Sequence, residues 1–111
     1  MSSEETAKIM ADLRVQFPEP GFELVPLELR MGLFVLRNPT HMEHMMAKKM
    51  VMDDAQKHLS SHNLFNATCV YPSKDVVTQK LNRWPGMVSQ VAVQKALAYL
   101  SGATDELESK S

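Results

Sequence analysis

The stretch Gly32-Leu33-Phe34-Val35-Leu36-Arg37-Asn38-Pro39-Thr40-His41-Met42-Glu43 decides the fold. Its first half is rich in branched and aromatic residues, which suit a packed, pleated surface, and predicts a strand from Gly32 to Arg37. Asn38-Pro39 ends that strand, because proline has no backbone donor and restricts the residue before it. Thr40-x-x-Glu43 then forms the pattern of a capping box, in which each side chain satisfies a free backbone amide at a helix start. A strand that passes straight into a capped helix implies an α+β chain.

Upstream, Phe22 to Leu29 alternates loosely between apolar and polar residues, and Pro26 marks it as an edge strand because it cannot donate to a ladder. Arg30-Met31-Gly32 supplies the turn, with Gly32 taking a positive φ, so a β-hairpin is expected. Before it, Ser2-x-x-Glu5 repeats the capping-box pattern. Ile9, Leu13 and Phe17 make an apolar stripe on a docking helix of about 13 residues, stopped by Pro18, Pro20 and Gly21.

Downstream, the capped helix is expected to run from His41 to about Ser60 and to close in Ser60-Ser61-His62-Asn63. Asn66 to Tyr71 reads as a short extended segment ended by Pro72. Ser73 is placed to cap the next helix, with Asp75 near its positive end. Val77, Leu81 and Trp84 share a face there, and Trp84 reads as an anchor between helices. Pro85-Gly86 breaks the chain before a last helix from Met87 to Ser101. Its apolar face comprises Val88, Ala92, Ala96 and Tyr99 beside Val93, Leu97 and Leu100, and Gly102 ends it in the left-handed conformation. The prediction is one mainly helical α+β domain over 1–102 with an N-terminal helix, a hairpin, a long central helix and two C-terminal helices. A flexible polar and acidic tail over 103–111 follows.

Composition narrows the function. The chain has 111 residues, 44% hydrophobic and 23% charged, which fits one ordinary globular domain. Twelve Lys+Arg against thirteen Asp+Glu give a formal charge of −1, which disfavours nucleic-acid binding. The single cysteine, Cys69, excludes an internal disulfide and paired-cysteine zinc sites. Met1 to Asp12 lacks an apolar signal region, and no apolar run approaches the roughly twenty residues that span a bilayer. A cytoplasmic chain without a membrane partner is expected.

No constellation announces catalysis. His41 and His44, and His58 and His62, have spacings that place two imidazoles on one helix face. The two pairs fall at opposite ends of the predicted central helix and cannot share an ion, and H-M-E-H is not the zinc-peptidase H-E-x-x-H. Cys69 sits in an apolar segment with no neighbouring base and reads as a packed thiol. With no G-x-S-x-G and no phosphate-binding glycine loop, the expectation is a non-enzyme with no catalytic residues, metal or cofactor.

Methionine is the anomaly: nine occur, and five fall in the eleven positions from Met42 to Met52. Met42, Met46 and Met50 recur at i, i+4, i+8, with Met45 and Met52 on an adjoining strip. Such a stripe reads either as a core face or as an adaptable surface, because flexible thioethers fill gaps and also repack against varied partners. As a surface, Met42, Met45, Met46 and Met50 are the candidate partner-binding residues. Lys48 and Lys49 are assigned to the opposite face.

From Phe34 to Gly102 the chain resembles small tail assembly chaperones of long-tailed bacteriophages and prophages. The similar features come in order: a strand ending in Arg37-Asn38-Pro39-Thr40, Glu43 in the helix start, Cys69-Val70-Tyr71-Pro72-Ser73 opening a helix, and Trp84-Pro85-Gly86-Met87 leading into a final apolar helix. The methionine run departs from the pattern, which carries more charge at that place. The resemblance implies a non-catalytic protein of the host cytoplasm that binds the tape-measure protein, helps recruit tail-tube subunits and is missing from the mature virion. It leaves a homo-oligomer and a longer frameshifted form open. The alternative readings are a small virion component of the tail, baseplate or head–tail connector, or a host-directed regulatory protein.

Overall fold

The computed structural model describes residues 3–18, 21–56 and 59–102. Ser2 of the first capping-box pattern, Pro20, His58 and the 103–111 tail lie outside the described residues. The elements run α1 (Ser3–Gln16), β1 (Leu24–Leu29), β2 (Gly32–Arg37), α2 (His41–Met52), α3 (Ser60–Thr68), β3 (Cys69–Tyr71), α4 (Lys74–Arg83), a 3-10 turn (Pro85–Ser89) and α5 (Val91–Leu100). This is a small α+β domain.

The hairpin forms as read. β1 and β2 pair antiparallel from Leu24↔Arg37 to Leu29↔Gly32, and Gly32 takes φ 131° in the turn. Pro26 lies on the edge strand, since the sheet order is β1-β2-β3. The third strand enlarges the expected hairpin: β3 pairs antiparallel with β2 through Val35↔Tyr71 and Leu36↔Cys69, with an irregularity between Val35 and Leu36.

Alternation along the strands builds two cores. Leu24, Leu33 and Val35 face α1, where Leu13 packs with Ile9, Met10 and Phe17. Val25, Leu27, Phe34 and Leu36 face the other way, into a larger cluster with Phe65, Val77, Leu81, Met87, Val93 and Leu97. The central strand is covered on both faces, which is why Leu33 to Leu36 is an unbroken apolar run. Among the described residues, every buried side-chain nitrogen and oxygen has a hydrogen-bond partner.

Several expectations need correction. The long central helix is two helices. Asp53 ends α2: its N–H bonds the carbonyl of Met50, and its Oδ1 accepts from the Ala55 N–H at 2.9 Å, a local arrangement that competes with the helical ladder. The polar Ser60-Ser61-His62-Asn63 opens α3 instead of closing α2, and Asn66 to Thr68 is helical, with the extended segment beginning at Cys69. Ser73 occupies the cap position of α4, but its side chain makes no capping hydrogen bond. Met87 to Ser89 belong to a 3-10 turn, and α5 starts only at Val91 because Gln90 is extended. Ala92 is exposed, whereas Val93, Ala96, Leu97 and Leu100 are buried. Gly102 ends α5 with φ 84°, its N–H bonding the carbonyl of Tyr99 at 3.1 Å.

Candidate partner-binding site

α2 begins at the capping box expected from the sequence. The Glu43 N–H donates to Thr40 Oγ1 at 3.1 Å, and the Thr40 N–H donates to Glu43 Oε1 at 2.8 Å. Arg37 adds a second hold on the same carboxylate, with Nη1 to Oε1 and Nη2 to Oε2 both at 2.9 Å. The Arg37 hydrogen bond is the main cause that holds the Glu43 carboxyl at about 2, against partial desolvation acting the other way.

This anchoring sets the rotation of the helix. α2 packs chiefly on α3, with Ala47 and Met50 half-buried on that side. Ser60 Oγ donates to the Ala47 carbonyl at 3.1 Å, and Asn63 Nδ2 donates to Met50 Sδ at 3.2 Å. No residue of α2 is fully buried. The remaining methionines therefore point to solvent: Met42 is 71% exposed, Met45 49%, Met46 58% and Met52 80%. They line an open groove of about 530 Å³ together with Lys48 and Lys49.

Of the two readings of the stripe, the core reading fails, because the interior is already filled by Phe34, Phe65 and Met87. Met42, Met45 and Met46 come together at the surface. Met50 does not join them; it is turned toward α3. Lys48 and Lys49 are not on the opposite face. Lys49 stands three residues after Met46 and four after Met45, a spacing that puts it on the same face. Sequence reasoning missed Lys49 and undervalued Met52, although helical periodicity would have found both.

The other singled-out residues lie elsewhere. Pro39 is half-buried just before α2, and Tyr71, Pro72 and Ser73 connect β3 to α4. Cys69 is buried in β3, and burial pushes its thiol up to about 11, which leaves it a poor nucleophile. Trp84 is half-buried against the main core, with the Arg83 guanidinium 4.8 Å from its ring centre, and Pro85-Gly86 starts the 3-10 turn. His41 and His44 are exposed on α2, and His62 is on α3, so His62 does not share their helix. Among the described residues, no group of three or more His, Cys, Asp or Glu side chains is placed to hold a metal ion. No described helix is long and apolar enough to cross a membrane.

A second hollow, of about 440 Å³, lies where α2, α3 and α5 meet, between His44, Val51, Leu64, Gln94 and Ala98. It shares Lys48 with the methionine groove, so that lysine stands on the ridge between the two. No family model, curated protein or solved structure matches the chain.

Proposed function

We propose that this protein is a non-catalytic chaperone of bacteriophage tail assembly, which holds apolar helical segments of the tape-measure protein on the outward face of α2 and helps recruit tail-tube subunits. The observation that carries the reading is the group of Met42, Met45, Met46 and Met52, all exposed on a helix anchored from its other side. Unbranched thioethers adapt to apolar stripes of differing shape, which suits a partner made of many similar segments. A contiguous apolar groove on a small domain is the kind of surface that a partner covers. The chaperone works in the host cytoplasm and leaves before the virion is complete.

The test is a Met42→Gln/Met45→Gln/Met46→Gln variant co-expressed with a bacteriophage tape-measure protein. Native chain should keep that protein soluble and co-purify with it, and the variant should lose it while its far-UV dichroism stays unchanged. Mass spectrometry of purified particles should find no chain. Retention by the variant, or a stoichiometric chain in the particle, counts against the proposal.

A further inference from the structure

We infer that the helix received by the methionine face is amphipathic with acidic side chains along the edges of its apolar stripe. This rests on the helix-binding reading above and specifies the partner's chemistry. The charges along α2 are unbalanced on its outward side. Its acidic residue, Glu43, has both carboxylate oxygens held by Arg37, away from the groove. Lys48 and Lys49 are exposed, line the groove and pair with no carboxylate among the described residues. The nearest acids in sequence, Asp53 and Asp54, lie beyond the end of the helix, and Asp53 is engaged by the Ala55 N–H. A helix laid along the groove sets apolar residues at i, i+3, i+4 and i+7 on the methionines, and the long stems of Lys48 at the edge and Lys49 among the methionines carry their ammonium groups out to its flanking positions. Glutamates or aspartates there gain attraction, and lysines or arginines there are repelled.

The same charges disfavour a second copy as occupant. An antiparallel pair of α2 helices that stacks Met42, Met45 and Met46 on their equivalents gathers both copies' lysines in one interface without a carboxylate. Sliding the pair until Lys48 and Lys49 face Asp53 and Asp54 of the other copy centres the crossing near Val51, and those three methionines leave the contact. α2 has 12 residues, so it is only about 18 Å long and cannot satisfy both registers. An anionic lipid surface is disfavoured as well. Two lysines followed by two exposed aspartates fall short of the clusters of about 4–8 basic residues that hold proteins to such membranes.

The test uses the full chain and three labelled synthetic peptides of about 18 residues with one leucine stripe, edged by Glu, Lys or Gln. Binding is read by fluorescence anisotropy at about 50 mM and about 500 mM salt. The Glu-edged peptide should bind at least ~10-fold more tightly than the Lys-edged one at low salt, and the gap should shrink to within ~3-fold at high salt. Lys48→Glu/Lys49→Glu should reverse the preference, so that the Lys-edged peptide binds at least ~3-fold more tightly than the Glu-edged one at low salt. Equal binding of the Glu and Lys peptides overturns the acidic specification and leaves helix binding standing. Failure of all three peptides overturns both. Three outcomes reassign the face to another occupant and also overturn the inference. One is a dimer by ultracentrifugation that Met46→Gln dissociates. Another is capture by vesicles of phosphatidylserine and phosphatidylcholine in place of the peptides. The last is peptide binding seen only after the chain is cut behind Gly102.

Discussion

Arg37, the last residue of β2, grips both carboxylate oxygens of Glu43 in the first turn of α2, and its Nη2 also reaches the Ala67 carbonyl at 2.9 Å near the end of α3. One guanidinium thus ties the central strand to two helices. Bidentate, charge-assisted contacts of this kind fix orientation as well as distance. The outer methionines follow from it: with α2 held by its first turn, by Ala47 and by Met50, the fold asks nothing of the opposite side of the helix.

Glu43→Gln isolates the charge in that junction, since glutamine keeps the capping-box geometry. It should cost about 1–2 kcal/mol at pH 7, less than the full pKa displacement implies because water screens the outer edge of the carboxylate. Glu43 titrates near 4.5 when free and at about 2 in the fold. The native advantage is therefore complete above about pH 5 and disappears as the pH falls through about 2. Urea denaturation of both proteins across that range should show the two midpoints converging in acid.

The junction also marks where sequence reasoning succeeded and where it stopped. The capping box, the hairpin turn at Gly32, the Val77–Leu81 stripe and the stop at Gly102 are local, and local chemistry is legible in order. The split between α2 and α3 was not. Ser60 to Asn63 carry no apolar periodicity, and their helix is secured by distant groups, with Ser60 bonded to Ala47 and Phe65 sealed against Phe34 at 6.0 Å between ring centres. Periodicity gathered the methionines but could not say whether their stripe faced inward. That depends on how much of the interior other residues already fill.

Exposure predicts a sharp contrast in stability. Met42→Gln, Met45→Gln and Met46→Gln should each shift the unfolding free energy by no more than ~0.5 kcal/mol, because glutamine matches methionine in helix propensity and nothing is uncovered. Phe65→Ala empties a fully buried site and should cost about 3–5 kcal/mol. Met50→Ala should fall between them, at about 1–2 kcal/mol, since its thioether packs on α3 and accepts from Asn63. Chemical denaturation of the five variants checks the order.

Cys69 should be chemically silent in the fold. Burial lifts its thiol from 9.0 to about 11, so at pH 8 the thiolate fraction falls about 100-fold before access is considered. Ellman's reagent at pH 8 should label native protein at least ~100-fold more slowly than protein in concentrated urea. Comparable rates would show that β3 opens readily.

Two glycines should respond in opposite directions to alanine. At Gly32 the backbone holds φ 131°, and an added Cβ would sit 3.1 Å from Lys80 Nζ. That ammonium cannot simply swing aside, because it donates to the Met31 carbonyl and closes the hairpin turn onto α4. Gly32→Ala should therefore cost about 1–3 kcal/mol, which lowers Tm by roughly 5–15 °C in a domain of this size. Gly86 has no positive φ, and an added Cβ would meet nothing within 4 Å. There the main effect of Gly86→Ala is on the unfolded chain, whose freedom it reduces, so stability should rise by about 0.4–1 kcal/mol. Thermal unfolding followed by circular dichroism decides both, and a neutral Gly32→Ala would mean that the turn relaxes away from the left-handed backbone that positions Lys80.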